Sequence, residues 1–214
     1  MSARSLVKAA AGTVFPGMLL YRRRSGRDCG VALTFDDGPH PEHTPRILEC
    51  LASNGAKATF FLQGAEVEKH PALVRAIFAE GHQVANHGYS HSRPASIGTA
   101  AYVAEVMRTH ELLEHLTGSP VRRDFRPPYG EVNARVFAAL VGRGFRFVFW
   151  SIDSDDSTFT SAPALASRVA GKRPNHGDIV LFHEDYAHTV DALPQILQGL
   201  QARRLAMTAV AAVS

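Results

Sequence analysis

The chain has 214 residues, of which 45% are hydrophobic and 20% are charged, and its formal net charge is +3. This length suits one domain with a sizeable core, and the composition is that of an ordinary globular protein, which excludes a disordered or fibrous chain. The small positive charge does not argue for a nucleic-acid-binding protein, and we expect no nucleic-acid partner.

The first 28 residues are predicted to form a basic and apolar arm ahead of a single domain that spans 29–214. Within the arm, residues 9–21 are an apolar run that is too short to cross a bilayer and is interrupted by Pro16 and Gly17. Three arginines follow instead of a small-residue cleavage site, so we expect no cleaved signal peptide and a cytoplasmic protein. The arm either packs on the domain or contacts an anionic membrane surface as a peripheral anchor. Its basic residues are Arg4, Lys8, Arg22, Arg23, Arg24 and Arg27.

Beyond the arm, strand-like and helix-like patterns alternate along the chain. The strand-like segments are VALTFD (31–36), KATFFL (57–62), HQVANH (82–87), DFR (124–126), FRFVFW (145–150), DIVLFH (178–183) and LAMTAV (205–210). Helical spacing of apolar residues marks 44–55, 71–81, 97–118, 133–142, 162–172 and 189–203. Such alternation predicts a mostly parallel sheet with helices outside it.

Polar side chains that can do chemistry stand at or just after the carboxyl ends of several predicted strands. They are Asp36, Asp37, His87, Arg126, Asp153 and His183. In a (β/α) barrel those ends converge on one face, where active sites lie. An open doubly wound sheet would bring together only the residues near its switch point. We therefore predict an α/β fold, a distorted (β/α) barrel of about seven units.

Two neighbouring carboxylates, Asp36 and Asp37, end the first predicted strand of the domain. Like charges repel there unless a cation compensates, and His87 and His91 are candidate ligands for one, because residues four apart face one way on a helical turn. Two imidazoles and one carboxylate form a usual divalent-metal set, with Asp37 as the natural third ligand. The alternative is a pair of surface histidines in a glycine-containing loop. If Asp37 and the two histidines bind an ion, Asp36 could act as general base toward the water that the ion activates.

Five motifs resemble, in order and spacing, those of the polysaccharide deacetylases, the NodB-homology enzymes of carbohydrate esterase family four. They are TFDDGP (34–39), HGYSH (87–91), RPPY (126–129), WSIDSDDS (150–157) and IVLFH (179–183). The resemblance covers roughly residues 30–210 and implies the distorted (β/α) barrel of that family, in agreement with the strand and helix pattern.

The resemblance also implies roles for individual residues. Asp36 would be the catalytic base, and Arg126 would pair with it and keep it ionised. Asp37, His87 and His91 would bind one divalent ion, most often zinc, with cobalt, nickel or manganese as alternatives.

Four further roles follow from the same motifs. Tyr129 would offer its backbone N–H to the developing oxyanion, and Leu181 would line the pocket for the acetyl methyl. His183 would be the general acid for the leaving amine, and Asp156 would raise its pKa and fix its orientation.

Two positions depart from the family pattern. Gly88 stands where the family usually has Ser or Thr. This difference puts in question the rigidity of the segment 87–91, called here the two-histidine loop. Ser157 stands where the family usually has Trp, so the acyl pocket is expected to be more open, or to be filled by Phe159 or Tyr129.

The sequence therefore predicts a metal-dependent hydrolase that removes an N-acetyl group from a carbohydrate. The partner would be an acetylated oligo- or polysaccharide or a lipid-linked sugar, and no oligomeric state is specified. An O-acetyl esterase and a deformylase of a lipid-linked sugar are alternatives within the enzyme class. A sugar-binding pseudoenzyme is the alternative from another class.

Overall fold

The structure, a computed structural model, describes residues 17–23 and 29–211. Within these residues nine strands form one sheet. The strands are β1 (Leu19–Leu20), β2 (Val31–Asp36), β3 (Thr59–Leu62), β4 (Gln83–Asn86), β5 (Asp124–Phe125), β6 (Arg146–Val148), β7 (Ile152–Asp153), β8 (Ile179–His183) and β9 (Met207–Thr208). The helices are α1 (His43–Ser53), α2 (Gly64–Lys69), α3 (Pro71–Ala79), α4 (Pro94–Ile97), α5 (Thr99–Thr117), α6 (Ala134–Val141), α7 (Ala162–Gly171) and α8 (Ala187–Ala202).

The sheet is a curled half-barrel in which every strand pair is parallel. Its strand order is β1-β6-β5-β4-β3-β2-β8-β7, and β9 pairs with β2 off this path. β1 and β7 are the two ends of the order, so the barrel is distorted as predicted. Because all strands run the same way, their carboxyl ends lie on one face, which fixes where a site can form.

In strand β2 the core side chains and the candidate catalytic side chain lie on opposite faces, since side chains alternate between the two faces of a strand. Val31, Leu33 and Phe35 belong to the hydrophobic cluster that the strands form with the outer helices. Ala32 belongs to a smaller cluster on the opposite, inner face. Asp36 has the same parity as Ala32, so its carboxylate is on the concave side of the sheet.

The segment predicted as an N-terminal arm is described in part. Leu19 and Leu20 form β1 beside β6, and the Tyr21 ring stacks on Phe149 at 4.6 Å between centroids. The Arg23 backbone N–H donates to the carbonyl of Gly177 at 2.7 Å. Residues 17–23 therefore pack on the sheet edge. The predicted basic residues Arg4, Lys8, Arg24 and Arg27 lie outside the described residues, and the membrane contact of the arm stays a prediction.

Short elements are where the structure differs from the predicted pattern. The two-residue strands β1 and β7, and the helices α2 and α4, had not been expected. Elements of two to six residues are too short to show a period of their own, and their place is set by neighbours in the fold. Among the described residues, no helix has the length and apolar character needed to span a membrane.

Candidate active site at the carboxyl ends of the strands

A cleft of about 360 Å³ opens at the carboxyl ends of β2, β4 and β8. It brings together most of the residues that the sequence singled out. These are Asp36, Asp37, His87, His91, Tyr129, Leu181 and His183. Arg126 and Asp156 are fully buried and contact two of the lining residues from behind. Residues from five motifs spread over the chain therefore form one site.

The chain turns sharply after β2, and this turn separates the two acids. Asp36 is the last residue of the strand and is buried, whereas Asp37 has a φ of 74°. Aspartate tolerates this left-handed conformation better than most residues because its short side chain bonds locally. The adjacent carboxylates consequently take up different positions in the cleft.

Arg126 supports Asp36 from the inside of the barrel. Its guanidinium donates to Oδ1 of Asp36 at 2.7 Å and to Oγ1 of Thr34 at 2.8 Å. Two further donations go to the carbonyl oxygens of Val148 (3.1 Å) and Phe149 (3.0 Å), so this buried charge is well satisfied. The other carboxylate oxygen of Asp36, Oδ2, lies 3.8 Å from Nε2 of His87 and faces the cleft.

Asp37, His87 and His91 form a candidate metal centre. One ligand atom from each lies within 4.8 Å of the others, and Oδ1 of Asp37 is 3.4 Å from Nε2 of His87 and 3.2 Å from Nε2 of His91. Nδ1 of His87 donates to the carbonyl of Arg126 at 2.7 Å, which leaves Nε2 as the ligating nitrogen. Two imidazole nitrogens and one carboxylate suit a divalent ion with an open coordination position.

The charges within this centre depend on one another. Burial alone would raise the pKa of Asp37, but the hydrogen bond and charge of His87 outweigh it and hold the pKa below its usual value. Burial would lower the pKa of His87, and the charge of Asp36 and the bond to Asp37 raise it instead. Burial and the neighbouring His87 lower the pKa of His91. Asp37 is therefore ionised, as a ligand carboxylate must be.

The two histidines do not lie on a helical turn, so that part of the sequence argument is wrong. They flank a loop after β4 in which Gly88 has a φ of +79° and His91 a φ of 54°. These left-handed residues bend the loop back, and bending brings the imidazoles to within 5.2 Å of each other between centroids.

The loop is tied down despite the glycine at position 88. The Gly88 N–H donates to Oδ1 of Asn86 at 2.8 Å, and its carbonyl accepts from Thr109 Oγ1 and the Gly64 N–H, both at 2.9 Å. The Ser90 hydroxyl donates to Glu105. These bonds supply the restraint that a hydroxyl at position 88 was expected to provide.

His183 is held by Asp156 on the opposite wall of the cleft. Its Nδ1 donates to Oδ1 of Asp156 at 2.7 Å, and its backbone N–H donates to Oδ2 at 2.7 Å. Burial would lower the pKa of His183, but the hydrogen bond and the charge of Asp156 raise it to about 9. Thr189 Oγ1 also donates to Asp156, at 3.1 Å. His183 is thus protonated at neutral pH, with Nε2 as the remaining ring nitrogen.

The structure shows which side chains line the cleft together with Ser157. Ser157 and Leu181 both line the cleft, and so do the aromatic side chains of Trp150 and Tyr186. Phe159, one expected replacement for the missing ring, packs on the outer hydrophobic cluster instead. Tyr129, the other expected replacement, does line the cleft, on the side of His91.

Two supporting residues were missed by the sequence argument. Gln63 follows β3 directly, and its side-chain N–H donates to Oδ1 of Asp37 at 2.7 Å. The strand-end rule that found the other residues could have found this one. Glu184 is buried below the turn after β2, where its N–H donates to the Asp36 carbonyl at 3.0 Å and its carboxyl accepts from Thr44. Burial raises the pKa of Glu184 to about 8.

The chain is similar in sequence and in structure to known carbohydrate deacetylases. The family model described as polysaccharide deacetylase matches residues 23–148. A peptidoglycan-N-acetylglucosamine deacetylase of Bacillus cereus is 38% identical over 177 residues, which cover 81% of this chain but only 64% of that protein. A chitooligosaccharide deacetylase of Bradyrhizobium sp. is 34% identical over 209 residues, which cover 89% of this chain and 94% of that protein. The crystal structure of the Bc1960 peptidoglycan N-acetylglucosamine deacetylase has a TM-score of 0.85 and 33% identity, covering 93% of this chain and 94% of the other.

Proposed function

This chain belongs to the polysaccharide deacetylase family, and from that membership we propose that it hydrolyses the N-acetyl group of a carbohydrate. One observation carries the proposal. A candidate metal centre of Asp37, His87 and His91 lies in the same cleft as a supported carboxylate, Asp36, and a protonated imidazole, His183. Hydrolysis of an amide needs this combination of a base, an acid and an electrophile.

The metal proposed for the centre is zinc. Two imidazole nitrogens and a carboxylate oxygen are donors that zinc accepts, and cobalt, nickel and manganese bind the same kinds of atoms. When bound, the ion supplies Lewis-acid polarisation of the acyl carbonyl and makes water more acidic.

Two residues of the cleft, Asp36 and His183, carry out the proposed proton transfers. Oδ2 of Asp36 takes a proton from the water that adds to the carbonyl carbon, while Arg126 holds Oδ1 in place. The backbone N–H of Tyr129 would donate to the oxyanion that forms. Nε2 of His183 then gives its proton to the amide nitrogen as the C–N bond breaks. Acetic acid and a free amine leave, and the proton taken up by Asp36 replaces, through solvent, the one that His183 gave up, which restores both groups.

The substrate class proposed is a glycan that contains N-acetylglucosamine. The Bacillus relative is named for peptidoglycan and the Bradyrhizobium relative for chitooligosaccharides, and both substrates carry this sugar. The exposed mouth of the cleft, with Tyr129 at its rim, is compatible with a sugar that belongs to a longer chain. An O-acetyl esterase would use the same base and ion, with less need for the acid.

The test is acetate release from N-acetylglucosamine oligomers, peptidoglycan fragments, acetylated xylan and a lipid-linked N-acetyl sugar. Each is assayed with purified protein, after chelation, and after zinc is added back. Asp36→Asn is the matched control, because it keeps the shape of the side chain and removes the base. We expect zinc-dependent acetate release that the variant lacks. Zinc binding without release from any substrate would favour the sugar-binding pseudoenzyme, and release from xylan alone would favour the esterase.

A further inference from the structure

An exposed tyrosine at the rim of a sugar-binding cleft is expected to stack on a sugar ring, but the ring of Tyr129 already contacts two other side chains, Arg93 and His91. Tyr129 is 45% exposed. The guanidinium carbon of Arg93 lies 3.8 Å from the centre of its ring. The His91 imidazole contacts the ring as well, with centroids 4.5 Å apart and planes at 55°. The ring is therefore held between a cation and a candidate metal ligand.

Arg93 is itself held by Glu131, with which it forms an ion pair. Arg93 comes just after the two-histidine loop, and Tyr129 and Glu131 belong to the turn after β5. The contact thus joins the loops that follow two neighbouring strands of the sheet, β4 and β5. Both charged side chains remain about half exposed, so the pair adds little to the stability of the fold.

The two histidines differ in what fixes their rings. His87 is buried, and its Nδ1 donates to the backbone carbonyl of Arg126. His91 is partly exposed, and within residues 17–23 and 29–211 no hydrogen bond reaches its Nδ1. Metal-binding histidines normally need a partner for the second nitrogen, because it orients the ring. Among the described residues, the ring contacts that His91 makes are with His87 and with Tyr129.

We propose that Arg93 is a positioning residue for the metal centre, which acts by holding the Tyr129 ring against the His91 imidazole. The proposal rests on the proposed function, since it assumes that His91 is a ligand. It assigns the side chain of Tyr129 to the support of His91 and leaves sugar stacking to other surfaces of the cleft.

The chain offers a matched control at the same loop, since Arg108 on helix α5 contacts Tyr89 within the loop. Arg108 covers the ring of Tyr89 with its guanidinium carbon 3.9 Å from the ring centre, and both bond to Glu68. The chemistry is the same arginine, tyrosine and glutamate set, with similar exposure. Among the described ring contacts, however, Tyr89 makes none with either imidazole.

The experiment compares zinc affinity in the full chain for Arg93→Ala, Arg93→Lys, Tyr129→Leu and Arg108→Ala. Zinc is titrated against a chromophoric chelator, and the imidazole resonances of the zinc-free protein are recorded by NMR. We expect Arg93→Ala and Tyr129→Leu to weaken zinc binding by about tenfold and to shift the His91 resonances. Arg93→Lys should lose less, because an ammonium keeps the cation–π contact without the planar stack. Arg108→Ala should stay within about twofold.

Unchanged zinc affinity in Arg93→Ala would overturn the proposal, and so would an equal loss in Arg108→Ala. The melting temperature of each variant shows whether it is folded, and Arg93→Lys provides the second comparison if Arg93→Ala is not. Affinity is measured without turnover, so the result stands apart from the proposed function. A protein that binds zinc through His91 but releases no acetate would leave the positioning role in place and reject the hydrolase.

Discussion

The acid–base half of the cleft, formed by Asp36, His183 and their partners Arg126 and Asp156, differs from the two-histidine loop in where its charged partners lie. Asp36, Arg126 and Asp156 lie in the interior, with exposures of 3%, 0% and 0%. The loop is flanked by ion pairs on the surface, such as Arg108 with Glu68, whose side chains are 55% and 38% exposed. Removing the partner of a buried charge lowers the unfolding free energy strongly, whereas losing an exposed ion pair lowers it little. We therefore expect the buried ion pair of the acid–base half to matter more for folding than the surface ion pairs beside the two-histidine loop.

The largest effect is expected where the loop supplies a ligand. His91→Ala should remove bound zinc and reduce hydrolysis to background, because two ligands hold a divalent ion poorly. The melting temperature should change little, since His91 is partly exposed. Metal analysis of the purified variant, acetate release and a thermal melt check this, with Arg108→Ala, on the helix beside the loop, as the control. Full activity of the unaltered protein after complete chelation would rule out the proposed mechanism.

Loss of Arg126 should give the largest effect on folding. Arg126→Met leaves the Asp36 carboxylate buried without its partner, and removing one member of a buried pair typically costs about 3–5 kcal/mol of unfolding free energy. Urea denaturation measures this against Arg108→Met, which should cost far less. Arg126→Met combined with Asp36→Asn should recover part of the loss, because no unpaired charge remains. If Arg126→Met and Arg108→Met lowered the unfolding free energy equally, the expected difference between the acid–base half and the two-histidine loop would be wrong.

Loss of the acid should affect catalysis and leave the metal in place. His183→Ala should slow amide hydrolysis by roughly 10²–10⁴, since an amine leaves only after protonation. The penalty should shrink for an ester with a good leaving group, and zinc content should be unchanged. Initial rates on both substrates test this. If amide and activated ester slowed equally, His183 would not be the acid.

The support of His183 by Asp156 predicts a change with pH. Because the pKa of His183 is raised to about 9, the acid stays protonated at neutral pH and the rate should fall as pH rises through that value. Asn at position 156 cannot supply the negative charge, so the alkaline limb should move toward the ordinary histidine value of about 6.5. A pH profile of kcat for Asp156→Asn measures this shift, and a profile that matches the unaltered protein would contradict it.

The same pair predicts how folding stability depends on pH. A histidine whose pKa is raised by folding stabilises the protein below about pH 6.5, and this contribution is lost as pH rises through about 9. Asp156→Asn lacks that contribution at every pH. The difference in unfolding free energy between the two proteins should therefore be larger at neutral pH than above pH 9, as urea titrations would show.

The smallest effect concerns Ser157. Ser157→Trp should sharpen the preference for acetyl over formyl and propionyl groups, since one methylene in a pocket is worth only about 1–3 kcal/mol. Trp150 and Tyr186 already line this cleft, which places the expected change near the low end of that range. Relative kcat/KM for the three acyl groups on one sugar measures it. An unchanged profile would mean that position 157 does not border the acyl group.

The sequence by itself determined the parallel α/β class and the strand ends that hold Asp36, Asp37, His87, Arg126 and His183. Both follow from local information, since strand and helix periods are read within a few residues and parallel topology puts all strand ends on one face. The motifs added Asp156, Tyr129 and Leu181 by resemblance. These residues could be named without knowing how far apart any two of them lie.

Only the tertiary structure decided the contacts between loops. The sequence did not reveal the bond from Gln63 to Asp37, the contacts of Tyr129 with Arg93 and His91, or the presence of Trp150 and Tyr186 in the cleft that Leu181 lines. It also suggested a helical turn where left-handed residues bend a loop. Such contacts join residues far apart in the chain or depend on a few backbone angles. They are set by the tilt of the strands and by side-chain packing, which leave no period in the sequence.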